Sequence, residues 1–160
     1  MTLTPFLAMA GLTLAMAAAA AHADPLGDLT WDKRVLVVLT AGTGEALDQQ
    51  AALFKDAENG FFERDMVVFA VVGASRIRPL FGPAPKVDPA AVRARLGVPP
   101  DAPFEAVLIG KDGGVKWRAE APVAPAAVFG VIDAMPMRQN EMRRDESRRG
   151  QGSAGGTGTP

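Results

Sequence analysis

Two continuous apolar runs, separated by an amphipathic segment, dominate the pattern of hydrophobic and polar positions. The runs are residues 34–39 (RVLVVL) and 66–72 (MVVFAVV). Runs that lack polar alternation are typical of strands buried on both faces of a parallel sheet. Between them, Leu47, Ala51 and Phe54 recur at helical spacing. The pattern therefore predicts a βαβ unit with two parallel strands and a right-handed crossover.

The turn after the first run sets the start of this helix. It spans residues 40–45 and contains two glycines. We expect the Thr43 side chain to cap the helix. The negative charge of Glu45 is expected to interact favourably with the positive end of the helix dipole. Asn59-Gly60 is expected to end the same helix.

The second half of the chain has shorter elements. Residues 73–87 contain three prolines and no periodicity, which predicts a loop of about 15 residues. Asp88-Pro89 is typical of a helix start, and Gly97 of its end. Residues 104–109 are predicted to be a third strand. An Asp-Gly turn at residues 110–114 then leads into an edge strand at 115–118.

The last predicted helix begins at Pro125 and is interrupted by Pro136. Its apolar face comprises Val128, Val131, Ile132 and Met135. The charged residues 137–149 either form a surface helix or fray. Residues 150–160 have the composition of a linker, so a disordered tail is expected over residues 143–160.

The resulting order of elements, β-α-β-α-β-β-α, predicts an α/β domain of the thioredoxin-like class. In this class a central mixed sheet is flanked by helices. The predicted domain covers residues 24–142, which is long enough to form a stable core without crosslinks.

The first 23 residues have the features of an export signal. Residues 6–21 are apolar or small, and Ala21-His22-Ala23 places small residues where a signal peptidase reads them. The alternative is a retained membrane anchor, although this run falls short of the roughly 20 residues that span a bilayer. We expect cleavage after Ala23, giving a periplasmic or secreted protein that no longer contacts the membrane.

The composition excludes several chemistries. The chain has no cysteine, and its one histidine, His22, would leave with the signal segment. A Ser–His–Asp triad, a cysteine nucleophile and metal sites built on thiolate or imidazole are then impossible, and we expect no cofactor and no metal. The formal charge of −1 lacks the basic excess of a nucleic-acid-binding protein.

Four segments resemble a known family. They are Trp31 with Arg34, the Arg64-Asp65 pair, the hairpin at residues 108–116, and residues 132–138 (IDAMPMR) with Glu141-Met142. Together, over roughly residues 26–142, they resemble the "domain of unknown function 4174" family. This is a thioredoxin- or peroxiredoxin-like domain of exported bacterial proteins, and a related domain occurs in animal sushi-repeat-containing extracellular proteins.

The resemblance implies a fold and an exported location, with no established activity. In thiol-active relatives of the fold, the catalytic cysteine follows the first core strand, where this chain has residues 40–45. A proline that is cis in thioredoxins corresponds to Pro103. Peroxiredoxins also keep an arginine near their cysteine, and Arg76 or Arg78 is a candidate for that place.

One candidate site lies off the carboxyl ends of the parallel strands, where open α/β sheets bind ligands. Its residues are Thr43, Gly44, Glu45, Arg76, Arg78 and Pro103. Backbone N–H groups at a helix N-terminus, supported by the two arginines, would suit a small anion or a peptide. The alternative is a plain helix cap with two solvated arginines, because Glu45 would repel an anion there.

A second candidate surface is rich in methionine, which makes adaptable contacts with protein partners. Its residues are Met135, Met137, Arg138 and Met142. The alternative is that Met135 only completes the apolar stripe of its helix and Arg138 only closes a helix end.

The expected function is that of an exported, non-catalytic binding or structural module. Its partner would be a periplasmic or extracellular protein or a small anion. The alternative is a cysteine-independent oxidoreductase, or another enzyme, that uses residues 40–45. No spacing brings two carboxylates into one site, so no catalytic residue is assigned.

Overall fold

The structure, a computed structural model, describes the backbone of residues 23–154 and the side chains of residues 23–150. The predicted signal segment, apart from Ala23, and residues 155–160 lie outside the described residues. None of the described helices combines the length and the apolar character needed to cross a bilayer.

Helices and strands alternate along most of the described chain. In chain order they are a 3₁₀ turn (Gly27–Leu29), β1 (Arg34–Thr40), α1 (Glu45–Phe54), α2 (Glu58–Glu63), β2 (Met66–Val72), β3 (Arg76–Phe81), α3 (Pro89–Leu96), β4 (Glu105–Ile109), β5 (Val115–Ala119), α4 (Pro125–Asp133) and α5 (Pro136–Ala154).

The strands form one mixed sheet in the order β3-β2-β1-β4-β5. β1 and β2 are parallel, and β1 and β4 are antiparallel. The β4–β5 and β2–β3 pairs are antiparallel. The predicted parallel pair and the predicted hairpin are therefore confirmed, within an α/β fold whose sheet is flanked by helices.

The core lies on both faces of the sheet. Leu36 and Val38 of β1 pack on one face with side chains of α1 and α4. Val35 and Val37 pack on the other face with side chains of α3. Every residue of β1 and β2 is buried. This two-sided burial explains why both strands are continuous apolar runs.

The prediction of a loop over the whole of residues 73–87 is wrong, because residues 76–81 form the strand β3. β3 is an edge strand, and most of its residues are exposed or half-buried. Pro79 lies within it, which an edge strand tolerates because one side needs no N–H donors. The apolar run by which buried strands are recognised is absent here.

The predicted boundaries of the first helix are also corrected. Gly44 is the residue before α1, and no side chain caps the helix, so the expected cap by Thr43 is wrong. Asn59 and Gly60 lie inside α2. A Cβ atom on Gly60 would lie 2.5 Å from a ring carbon of Phe129, so this glycine allows a close approach between helices.

The predicted boundaries of α3 are confirmed. The Asp88 side chain accepts a hydrogen bond from the Ala90 N–H at 3.1 Å, and Pro89 occupies the first turn. Gly97 ends the helix with a φ of 69°, a conformation that favours glycine.

The charged residues 137–149 form a surface helix, which is one of the two outcomes that the sequence leaves open, and this helix extends into the stretch from residue 143 for which a disordered tail is predicted. α5 extends without interruption through residues 143–149 and on to Ala154. Ion pairing within the helix contributes, as between Arg148 and Asp145 at 3.4 Å. The first two turns are held by contacts with the sheet, which are described next.

Candidate functional site

Charged side chains from several separate segments converge where β1 and β2 begin. They are Arg34, Arg64, Asp65, Lys111, Asp133, Arg138 and Glu141, and we call them the ion cluster. They come from the start of β1, the turn before β2, the turn after β4, the end of α4 and the first turns of α5. All of them belong to the segments that carry the family resemblance.

Arg34 lies at the centre of the ion cluster, with a relative exposure of 1%. Its Nη2 donates to both carboxylate oxygens of Glu141, each at 3.1 Å. Its Nη1 donates to the Arg64 carbonyl at 2.9 Å. A buried guanidinium needs such a partner because an unpaired charge inside a protein is strongly destabilising.

Two further cations complete the connection between the sheet and the last two helices. Lys111 Nζ lies 2.8 Å from Asp65 Oδ2 and 3.0 Å from Glu141 Oε1. Arg64 donates to both carboxylate oxygens of Asp133, at 3.0 and 2.6 Å. α5 is therefore fixed to the sheet through Glu141, and α4 through Asp133.

The pKa values of the acidic members reflect this arrangement. Burial is the largest single influence on the pKa of Asp65, Asp133 and Glu141, and by itself it raises each one. Hydrogen bonds and charges from the neighbouring cations outweigh burial, so all three pKa values lie below the usual range.

The pKa of Lys111 is shifted in the opposite direction for the same reason. Burial alone would lower its pKa, but its hydrogen bonds and charge interactions with Asp65 and Glu141 raise that pKa above the usual value. These shifts in pKa favour the charged forms of Asp65, Lys111, Asp133 and Glu141.

Backbone strain occurs at the same end of the sheet. Among the described residues, the non-glycine residues with positive φ are Trp31, at 70°, and Asp65, at 49°. The Trp31 N–H donates to the Lys111 carbonyl, and the Asp65 carbonyl accepts from the Arg34 N–H at 2.9 Å. Such strain persists where the surroundings fix the backbone, and it is concentrated at functional sites.

Three residues near Lys111 of the ion cluster have large apolar side chains that face solvent. Trp31 is 69% exposed, Phe62 78% and Met137 39%, and we call them the contact rim. Each of them adjoins Lys111. Trp31 does so through its backbone hydrogen bond, Met137 across a hollow of about 390 Å³, and Phe62 across a second hollow of about 350 Å³.

The methionine-rich candidate surface falls partly within this region. Met135 and Met137 line the first hollow. Arg138 lines the second hollow and pairs with Asp133 and Glu141. Met142 is half-buried on α5 and lines neither hollow.

The other candidate site lies at the opposite end of the sheet. A pocket of about 270 Å³, which we call the turn pocket, is lined by Thr40, residues 42–47 and Pro103. The structure thus brings together Thr43, Gly44, Glu45 and Pro103. No peptide bond within the described residues is cis, so Pro103 follows a trans bond.

The two arginines predicted for this site lie outside the turn pocket, on the edge strand β3. Arg76 stands opposite Val72 in the register. Arg78 Nη1 lies 3.5 Å from Asp48 Oδ1 on the exposed side of α1.

A different arginine occupies the carboxyl ends of β1 and β2. Arg93 of α3 is 3% exposed, and burial lowers its pKa. Its hydrogen bonds go to four carbonyl oxygens, those of Thr40 (2.6 Å), Val71 (3.1 Å), Gly73 (2.7 Å) and Pro99 (2.8 Å). Its position three residues before Leu96, on the buried face of α3, was the sequence signal that could have identified it.

Thr40 is a buried residue in the lining of the turn pocket. It is 2% exposed, and its Oγ1 is buried without a hydrogen-bond partner among the described residues. Within residues 23–150, no three carboxylates or imidazoles group in a way that would hold a metal ion.

The family of the chain follows from its sequence profile. Residues 25–141 match the profile described as a domain of unknown function, DUF4174. The chain belongs to the DUF4174 family. The match ends at Glu141, the last member of the ion cluster along the chain, so this DUF4174 domain includes the whole cluster.

A curated relative extends the comparison beyond the family profile. The Sushi repeat-containing protein SRPX of Rattus norvegicus is 31% identical over 130 residues, which cover 75% of this chain. The aligned region spans 27% of the length of that relative, so the DUF4174 chain corresponds to a part of a longer protein. No solved structure matches the chain significantly.

Proposed function

We propose that this chain is an exported, non-catalytic binding module with a thioredoxin-like fold, and that it holds a protein partner against the contact rim. The observation that carries the proposal is the exposure of Trp31 and Phe62 beside the ion cluster. Exposed groups of large apolar side chains on a soluble domain are typical of interaction sites. Tryptophan and arginine are also the residues that most often dominate binding energy.

The thioredoxin-like assignment is supported by the order of the strands. Without β3, the sheet reads β2-β1-β4-β5, with the parallel pair at one edge, a hairpin at the other edge and the antiparallel β1–β4 pair between them. α1 connects the parallel strands, and α4 packs on the same face as α1. We interpret β3 as an addition to that core.

Rigidity of the underlying surface favours a binding role. The ion cluster fixes Lys111, Asp65 and the start of α5 by hydrogen bonds of 2.8–3.1 Å. A surface that is already ordered loses less conformational entropy when a partner binds. The contact rim therefore has both apolar anchors and a fixed base.

The charge of the region indicates the chemistry of the partner. α5 carries five arginines and three carboxylates. The first hollow is lined by Arg34, Lys111 and Lys116, with Asp112 as the one carboxylate in its lining. We therefore propose that the partner presents a segment in which apolar side chains adjoin acidic ones.

The comparison with SRPX supports a protein partner, and the N-terminal sequence supports export. In SRPX the matching region is 27% of a longer chain, and a domain inside a longer chain has neighbouring domains to contact. The apolar segment before Ala21-His22-Ala23 has the features of an export signal.

Site-specific photo-crosslinking in the producing cell tests the proposed function. A photoreactive residue replaces Phe62 in one variant and Leu53 in the control. Leu53 is a suitable control because it is 38% exposed but lies on α1. We expect a discrete adduct with an exported protein from position 62, reduced by Trp31→Ala, and none from position 53. Identical adducts from both positions, or none from position 62, would contradict the proposal.

An activity measurement tests the non-catalytic part separately. The chain has no cysteine, so we expect purified protein to turn over neither peroxide nor disulfide substrates. Turnover of either substrate without an added thiol or metal would contradict a purely binding role, and it would favour an enzyme that uses residues 40–45.

A further inference from the structure

The turn pocket has a feature that the proposed function does not use. It opens at the N-terminus of α1, where Gly44 precedes the helix in an extended conformation and offers no side chain as a cap. The first N–H groups of a helix have no acceptor within the helix. Gly44, Glu45 and Ala46, which carry the first of these N–H groups, line a pocket of about 270 Å³.

A second observation, independent of the helix, points to a ligand in the same pocket. Thr40 is 2% exposed and lines the floor of the pocket. Its Oγ1 has no hydrogen-bond partner among the described residues. Leaving a buried hydroxyl without a partner is unfavourable, and a ligand oxygen held by the helix N–H groups would satisfy it.

The buried positive charge of Arg93 lies next to Thr40. Arg93 Nη2 donates to the Thr40 carbonyl at 2.6 Å from the opposite face of the sheet. The acceptors of the Arg93 guanidinium are all carbonyl oxygens, so none of its hydrogen bonds goes to a carboxylate. An uncompensated charge in a poorly solvated position acts over a longer distance than a surface charge.

From this geometry we propose that the turn pocket binds a small oxyanion, which accepts from the first N–H groups of α1 and from Thr40 Oγ1. The positive end of the α1 dipole and the charge of Arg93 favour the negative ligand. Glu45 lines the pocket and is exposed. Its carboxylate opposes the ligand and limits the affinity to about the millimolar range.

A titration followed by NMR tests this site on the purified protein. Phosphate, sulfate and acetate are added separately, with sodium chloride at matched ionic strength as the control. We expect the amide resonances of Gly44, Glu45 and Ala46 to shift with saturation. The relative affinities for phosphate, sulfate and acetate distinguish a tetrahedral oxyanion from a carboxylate.

Four variants separate the contribution of the proposed binding groups from general effects of charge or substitution. Thr40→Val is expected to weaken binding about tenfold, whereas Ser75→Ala, which removes an exposed hydroxyl that does not line the pocket, leaves it unchanged. Glu45→Gln removes the opposing charge and is expected to tighten binding about threefold. Thr40→Ser retains a hydroxyl and should retain binding. It therefore shows whether a loss of binding in Thr40→Val is due to the missing hydroxyl or to any substitution at this position.

Two results would overturn the oxyanion site. One is that none of the three oxyanions shifts the α1 amides more than chloride does. The other is that Thr40→Val binds as tightly as the unchanged protein while its amide spectrum shows an intact fold. Neither result bears on the contact rim, which lies at the other end of the sheet.

Discussion

Trp31 combines strain with exposure. Its φ of 70° is unfavourable for a bulky residue, and 69% of its surface faces solvent. The left-handed conformation costs about 1–2 kcal/mol for a residue with a side chain, and glycine avoids that cost. A residue retained only for stability would not carry both features, so we interpret Trp31 as a binding residue.

Two substitutions of Trp31 test the strain. Trp31→Gly is expected to be more stable than Trp31→Ala by about 1 kcal/mol, because the alanine variant keeps the strained conformation. Urea unfolding of both variants measures the difference. Equal stability, or a more stable alanine variant, would show that this position is not strained.

Glu141 is the main partner of a buried cation. Glu141→Gln is expected to lower the free energy of unfolding by about 2 kcal/mol. This is less than the loss for a fully buried pair, because Glu141 is partly exposed and glutamine still accepts a hydrogen bond. Glu146→Gln is the control, since Glu146 is exposed on the same helix, and a change within about 0.5 kcal/mol is expected. If both variants lost the same free energy of unfolding, Glu141 would contribute no more to stability than an exposed carboxylate on the same helix.

Sequence patterns locate individual site residues only in part. Arg34 and Glu141 are separated by 107 positions, so no spacing rule predicts that they pair. The resemblance includes both residues but does not place them together. Arg93 was missed because a charged residue in a short helix suggests a solvated face, and the carbonyl oxygens it serves have no sequence signature.

At the level of elements, recognition depends on the apolar pattern. β1, β2 and β4 are continuous apolar strands, and their sequences predict them. β3 has no fully buried residue and contains Pro79, and α2 has six residues, so neither has an apolar pattern of sufficient length. For residues 137–149 the sequence leaves a surface helix and a frayed end open, because their charged composition suits either outcome.

The attachment of α5 through Glu141 leads to a prediction about truncation. A chain that ends after Met142 retains the whole ion cluster and is expected to keep its stability within about 0.5 kcal/mol. A chain that ends after Met135 leaves Arg34 without its carboxylate and should lose about 3 kcal/mol. Thermal unfolding compares the two. A large loss in the longer chain would mean that residues 143–154 stabilise the domain.

At the scale of the whole molecule, the ion cluster links stability to pH. The pKa values of Asp65, Asp133 and Glu141 are lowered by folding. Between the folded and the usual pKa values, the unfolded chain therefore binds more protons, and stability rises with pH. The pKa of Lys111 is raised, so its contribution is complete below its usual pKa and is lost as the pH rises through the folded value.

These shifts predict a plateau of stability between about pH 5 and pH 10, with a decline below about pH 4. Urea unfolding from pH 3 to pH 7 measures the acid side. The loss on acidification should be smaller in Glu141→Gln, which lacks one of the three carboxylates. If Glu141→Gln loses as much stability as the unchanged protein, Glu141 does not contribute to the acid response.

The central claim, that the contact rim binds a protein partner, is tested most directly by the affinity of the partner captured at position 62. The partner is titrated against the unchanged protein, Trp31→Gly and the control Leu53→Ala. Urea unfolding of Trp31→Gly, measured in the same buffer, separates a loss of binding from a loss of folding. The account predicts that Trp31→Gly weakens binding at least about tenfold and that Leu53→Ala leaves it unchanged. Unchanged affinity in Trp31→Gly would contradict the account.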